Sequence, residues 1–311
     1  MQNVQRKGIR RKRKLLPPPS LASVLRRRLD IVRAEILRCG PLPDDEMIHD
    51  LRVAIRRSGE VIRIMQQAGF MGRQKAQRIM RVFRKVRRFA GDIRDLDVER
   101  DYLRKSKHPH MRPKTVYQIL QTVADRRHKL ATKLHMMLSQ AHGEKTFTPL
   151  MRTLENVRFE ADESILKKEL FRRIQKNAKR LTIACDVALE KQTPLLIHQA
   201  RIAGKRLRYA FELAHDARFM DCQKHITELK KFQKTAGNLH DVEFIFENIS
   251  QYAAPNETTT RKKTGQKKQQ GTLEMQWDNK IHGRIRQFQG KSLTALRRIR
   301  NLYGTAEKPS K

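Results

Sequence analysis

Acidic side chains are scarce in this chain. Asp and Glu number 32 against 69 Lys and Arg, a formal net charge of +37 over 311 residues. That imbalance goes far beyond what solubility requires and predicts a polyanionic partner. Aromatic residues are only 6%, with a single Trp, which counts against a single-strand nucleic-acid binder built on stacking platforms. Cys39, Cys185 and Cys222 stand alone, in no metal-ligand spacing. They read as reduced, buried thiols of a cytoplasmic protein rather than a disulfide framework. No apolar run is long enough to span a membrane, so no membrane insertion is expected. The basic N-terminus is followed by no apolar stretch, so no secretion signal is read. A P-loop glycine pattern is also missing. Apolar content of 38% suffices for helical-bundle cores but is low for a thick sheet core.

The chain does contain a stretch that occurs twice. His49-Asp50-Leu51-Arg52-Val53-Ala54-Ile55-Arg56-Arg57 is matched by His198-Gln199-Ala200-Arg201-Ile202-Ala203-Gly204-Lys205-Arg206, an offset of 149 residues. Each copy opens a predicted helix. Asp44, Asp45 and Glu46 suit an N-cap and an acidic first turn before the first. Thr193-Pro194 suits a cap followed by proline at the first helical position before the second.

At about 100° per residue, Arg52, Arg56, Glu60 and Arg63 fall on the His49 side of the first helix. Leu51, Ala54, Ile55, Val61, Ile62 and Met65 oppose them. In the second helix His198, Arg201, Lys205, Arg208, Tyr209 and Glu212 share a face, opposite Ala200, Ala203, Leu207, Ala210, Phe211 and Ala214. Each helix thus buries one stripe and offers a row of bases on the other. An ordinary solvated face mixes signs to make i,i+4 pairs. Here only Glu60 and Glu212 offer them, to Arg56 and Arg208, so the rows read as anion-binding.

A second block repeats in the same order. Ala90-Gly91-Asp92-Ile93-Arg94-Asp95-Leu96-Asp97 matches Ala236-Gly237-Asn238-Leu239-His240-Asp241-Val242-Glu243 at an offset of 146. The bases before it match too: Arg78 with Lys224, Arg84 with Lys230, Lys85 with Lys231 and Arg88 with Lys234. One duplicated helical unit explains both blocks. The carboxylates Asp92, Asp95, Asp97, Glu99 and Asp101 do not fit an EF-hand, and Asp95 and Asp97 would not share a helix face. They are read as charging a helix start and orienting arginines of neighbouring helices, and no metal is assigned.

Taken in order, residues 1–20 read as a disordered basic arm. Helices are predicted over 21–38, from Pro43 to about 67, 73–90, a separate one after Gly91 to about 103, and 115–141, completing repeat one (21–142). His108 and His110 fall in the loop 107–113 and read as loop polar residues. Repeat two (161–303) follows with helices at 161–189, 194–214, 219–236 and 239–252, a flexible polar loop at 253–271, and a last helix near 273–303. Residues 304–311 read as a loose tail.

His-Asp-Leu-Arg-Val-Ala-Ile-Arg-Arg, Gly-Asp-Ile-Arg-Asp-Leu-Asp-Val, His-x-x-Arg-Ile-Ala-x-Lys-Arg-Leu-Arg-Tyr and Gly-Asn-Leu-His-Asp-Val together resemble the CHAD family, over about residues 21–303. The resemblance implies an all-α fold of two four-helix bundles related by pseudo-two-fold symmetry, with a basic groove near the axis. It further implies binding of inorganic polyphosphate and association with polyphosphate granules. The alternating Glu motif of an adjoining triphosphate-tunnel domain is not found, so the form resembled is the stand-alone one. Carried over by motif, the polyphosphate ligands are His49, Arg52, Arg56, Arg57, His198, Arg201, Lys205, Arg206 and Arg208. The matched basic helices add Arg84, Lys85, Arg88, Lys230, Lys231 and Lys234. One departure is Ser58-Gly59, where the second copy has Leu207-Arg208; glycine inside a helix costs about 1 kcal/mol relative to alanine.

Two other classes compete. A non-specific nucleic-acid-binding protein fits the net charge, and weak binding to RNA or DNA is expected at low salt. The rows, however, have few of the Asn and Gln amides that read base edges. An enzyme acting on phosphoanhydrides needs metal-binding acids and a positioned nucleophile; the expectation is a binding protein with no catalytic residue and no cofactor.

Overall fold

The computed structural model describes residues 19–105, 113–139, 152, 154, 162–253 and 264–304, with side chains except at 240 and 244–281. The expected arm up to residue 18, the loop holding His108 and His110, the connection 142–148 and the tail from 305 lie outside the described residues. Among those described there are eight long helices and no strand: α1 (Leu21–Arg38), α2 (Asp45–Gln67), α3 (Arg73–Lys105), α4 (Pro113–Leu138), α5 (Glu163–Lys191), α6 (Pro194–Asp216), α7 (Gln223–Ala253) and α8 (Thr264–Gly304).

Local chemistry starts the two helices that matter most. Asp44 caps α2 by accepting from the Met47 N–H at 2.7 Å, and Asp45 and Glu46 occupy the first turn. Thr193 caps α6 by accepting from the Leu196 N–H at 3.4 Å, with Pro194 at the first turn. A third cap is tertiary. Glu163 at the start of α5 accepts from the Leu21 N–H at 3.2 Å, tying the beginnings of α1 and α5 together.

Three sequence expectations change. The break at Ala90-Gly91 does not occur: α3 runs unbroken for 33 residues. Its buried stripe Ile79, Phe83, Val86, Ala90, Ile93 and Leu96 steps by three or four straight through the glycine, and burial of that stripe outweighs the roughly 1 kcal/mol glycine cost. The second copy behaves alike, with Gly237 inside the 31-residue α7. The repeated acidic block therefore lies in the middle of a helix, not at its start. Finally, α8 begins at Thr264, so residues 264–271, expected as loop, are helical.

The apolar stripes of α2 and α6 are buried as their periodicity predicts, with Leu51, Val61, Ile62, Met65, Ala200, Leu207, Ala210 and Ala214 all at 0% exposure. Each fully buried Leu or Ile contributes roughly 1.5–3 kcal/mol of transfer free energy. In the first half α1 packs on α2, α2 on α3 and α3 on α4; in the second, α5 packs on α6, α6 on α7 and α7 on α8, and α8 closes back on α5. Between halves, α1 meets α5 and α6, α2 meets α5 and α6, and α3 meets α7. One core joins both halves, and a smaller cluster of Leu96, Leu103, Ile119 and Val123 packs α4 on α3. Cys39, Cys185 and Cys222 are buried free thiols.

The acidic block earns its place through arginine. Asp97 is completely buried and accepts from Arg127 Nε at 2.6 Å. Arg100 reaches Asp45 at 2.6 Å, and Arg127 also donates to the Pro43 carbonyl at 2.9 Å. This network pins the start of α2 to α3 and α4, which fixes the rotation of the His49 row.

Candidate anion-binding cavity

Where α2, α3 and α6 meet there is a half-open cavity of about 470 Å³. From α2 it is lined by Ile55, Arg56, Gly59, Glu60 and Arg63; from α3 by Met80, Phe83, Arg84 and Arg87. His198, Arg201, Ile202, Lys205, Arg206 and Tyr209 line it from α6. Seven Lys and Arg side chains thus face a single carboxylate. That carboxylate, Glu60, is already committed: it accepts from Arg63 at 2.9 Å and from Arg173 of α5 at 2.8 Å. No lining acid is left to neutralise the other cations.

The electrostatic consequences are large. Lys205 is held down to about 6, first by burial and then by the charges of Arg201, Arg56, Arg52 and Arg208. Burial also lowers Arg52 to about 10, with Arg56, Arg94 and Arg201 adding to the fall and Asp95 opposing it. Arg87 is lowered by burial and by Arg56, Arg206 and Arg84, with no acid offsetting them. Burial lowers Arg201 as well, opposed by Asp241. Asp95 and Asp241, matched positions of the repeated acidic block, therefore act on Arg52 and Arg201, matched positions of the repeated His block. Arg52 Nη1 is buried without a hydrogen-bond partner. Charges crowded this way are stabilised by an incoming anion, which supplies acceptors and opposite charge to the guanidiniums.

Residues 23–245 match the CHAD domain family. The chain belongs to that family. A similar solved structure is the crystal structure of the CHAD domain from the plant Ricinus communis, at 17% identity and a TM-score of 0.56, covering 88% of this chain and 92% of that one. This likeness shows a shared all-helical fold. Comparison with curated proteins gives no match.

The CHAD cavity brings together Arg56, Arg84, His198, Arg201, Lys205 and Arg206 of the residues singled out from sequence. Arg52 stands close enough for its charge to act on Lys205. His49 stands at the start of the α2 row with much of its surface exposed, and its pKa is lowered, first by the partial burial of its ring and then by Arg94, Arg52 and Arg56 against Asp50. Arg57 points elsewhere. It donates to Glu212 of α6 at 2.9 Å and lines a groove beside α1. Arg208 also pairs with Glu212, at 3.6 Å, and lies over the Tyr209 ring. The expected Glu60–Arg56 pair is not made, because Arg63 and Arg173 hold Glu60. Lys85 and Arg88 are exposed on α3 outside the cavity lining, and so are Lys230, Lys231 and Lys234 on α7. Lys231 pairs with Glu228 at 3.1 Å.

Sequence reasoning passed over Arg87, and it placed Arg63 in the α2 row without carrying it over as a ligand. Arg87 follows Met80 and Arg84 at i+7 and i+3, one helix face, and that spacing is the signal that finds it. Matching the repeats hides it, because its counterpart at an offset of 146 is Gln233, which is buried. Among the described residues no three His, Cys, Asp or Glu side chains come together to hold a metal, and no helix is long and apolar enough to cross a membrane.

Proposed function

We propose that this CHAD protein binds inorganic polyphosphate in the cavity between α2, α3 and α6, in the cytoplasm and on polyphosphate granules, without turning it over. The observation that carries the reading is the cavity lining: seven Lys and Arg side chains, Lys205 among them, against one carboxylate that two arginines already hold. A flexible chain of phosphates has no bases to read, so rigid arginines grip it by charge and bidentate hydrogen bonds alone. Glu60, accepting from two arginines, is poorly placed to act as a general base, which fits binding without catalysis.

The test is displacement of labelled long-chain polyphosphate at moderate salt by unlabelled polyphosphate or duplex DNA at equal phosphate. Polyphosphate is expected to compete far better, and an Arg56→Ala/Arg201→Ala variant to lose that advantage. Removing one phosphate-binding cation should flatten the dependence of log K on log salt by roughly 0.7. Equal competition by DNA, with the variant unchanged, would favour the non-specific nucleic-acid reading instead.

A further inference from the structure

The three helices that line the Lys205 cavity all present cations to it. Arg201 and Arg208 come from the Lys205 helix, and Arg52 and Arg56 from α2. From α3, Arg84 and Arg87 line the same cavity. The lining acid, Glu60, is held by Arg63 and Arg173, and the α7 carboxylate of Asp241 acts on Arg201. Burial in this cavity among guanidiniums disfavours the ammonium form and lowers the Lys205 pKa to about 6. Desolvation and neighbouring cations are what turn a lysine into a nucleophile. The same guanidiniums attract and orient phosphoryl groups. A nucleophilic amine and a phosphate grip therefore share one cavity.

We propose that Lys205 is a modification site for acyl phosphates, with the cavity arginines holding the phosphate and the Lys205 amine taking the acyl group. The amine lone pair attacks the carbonyl carbon and a C–N bond forms. The bond from that carbon to the bridging oxygen breaks, and its electron pair leaves with the phosphate. One amine proton passes to the departing phosphate, giving an amide and hydrogen phosphate, with no further reactant. The amide cannot be protonated and adds bulk inside the cavity, so acylation weakens the anion site. The inference rests on the cavity being an anion site, not on polyphosphate being its anion.

The full chain is incubated with acetyl phosphate near neutral pH, and acetylation at each lysine is followed by peptide mass spectrometry. Lys205 is expected to react several-fold faster than the exposed Lys168 and Lys224, and orthophosphate to slow Lys205 alone. The ratio should be smaller with an uncharged acetylating ester. Reaction of Lys205 no faster than Lys168 and Lys224, or an equal ratio with both reagents, overturns the proposal. Saturating polyphosphate in a parallel arm separates the two readings. Protection of Lys205 supports both, whereas selective acetylation that polyphosphate leaves untouched keeps this inference and removes polyphosphate from the cavity.

Discussion

Arg173 of α5 donates through Nε to Glu60 of α2 at 2.8 Å, and the two side chains are 5% and 1% exposed. This pair sits behind the cavity and couples the two halves of the chain. It also bears on the cavity's charge, because with Arg63 it occupies the lining carboxylate and leaves the other lining cations without it.

Breaking one partner leaves a buried charge uncompensated. Glu60→Leu and Arg173→Met should each cost about 3–5 kcal/mol in urea unfolding, and the double variant Glu60→Leu/Arg173→Met should recover much of that loss. Additive losses in the double variant would show that the two residues do not act as a pair.

Glycines matched by the repeat should part company. A Cβ at Gly237 would meet Arg201 Nη2 at 3.2 Å, whereas one at Gly91 meets nothing within 4 Å. Either alanine should stabilise its helix by up to about 1 kcal/mol. Only Gly237→Ala displaces a cavity guanidinium, so it alone should weaken polyphosphate binding, by a few-fold in Kd. Equal effects on binding would contradict the geometry.

The free protein should melt at higher temperature as pH rises from about 6 toward 8, below the range in which the raised thiols of Cys39, Cys185 and Cys222 act in the opposite sense. Lys205 has a pKa of about 6 when folded, against 10.5 for an ordinary lysine. In that window the unfolded chain binds more protons, so stability rises with pH. Lys205→Met should flatten the slope.

Neighbouring arginines in one motif should behave oppositely. Arg56 lines the cavity, while Arg57 is spent on Glu212 at 2.9 Å. Arg56→Ala should cost at least tenfold in polyphosphate affinity, as removal of a charged hydrogen bond of about 1.5–3 kcal/mol implies. Arg57→Ala should leave affinity nearly unchanged and appear instead in unfolding midpoints.

The sequence by itself determined the helices, their buried stripes, the caps at Asp44 and Thr193, and the repeated basic rows, because period and capping are local properties. It misjudged Gly91 and Gly237 as breaks, since a local cost gives no measure of the stripe that runs through it. Tertiary structure decided which bases share a cavity. Periodicity fixes a residue's angle about its own helix axis and says nothing of how far one helix slides or turns against another. That is why Arg57, in the motif, was taken by Glu212 from 155 residues away, and why Arg87, outside the matched positions, came to line the cavity beside Arg84.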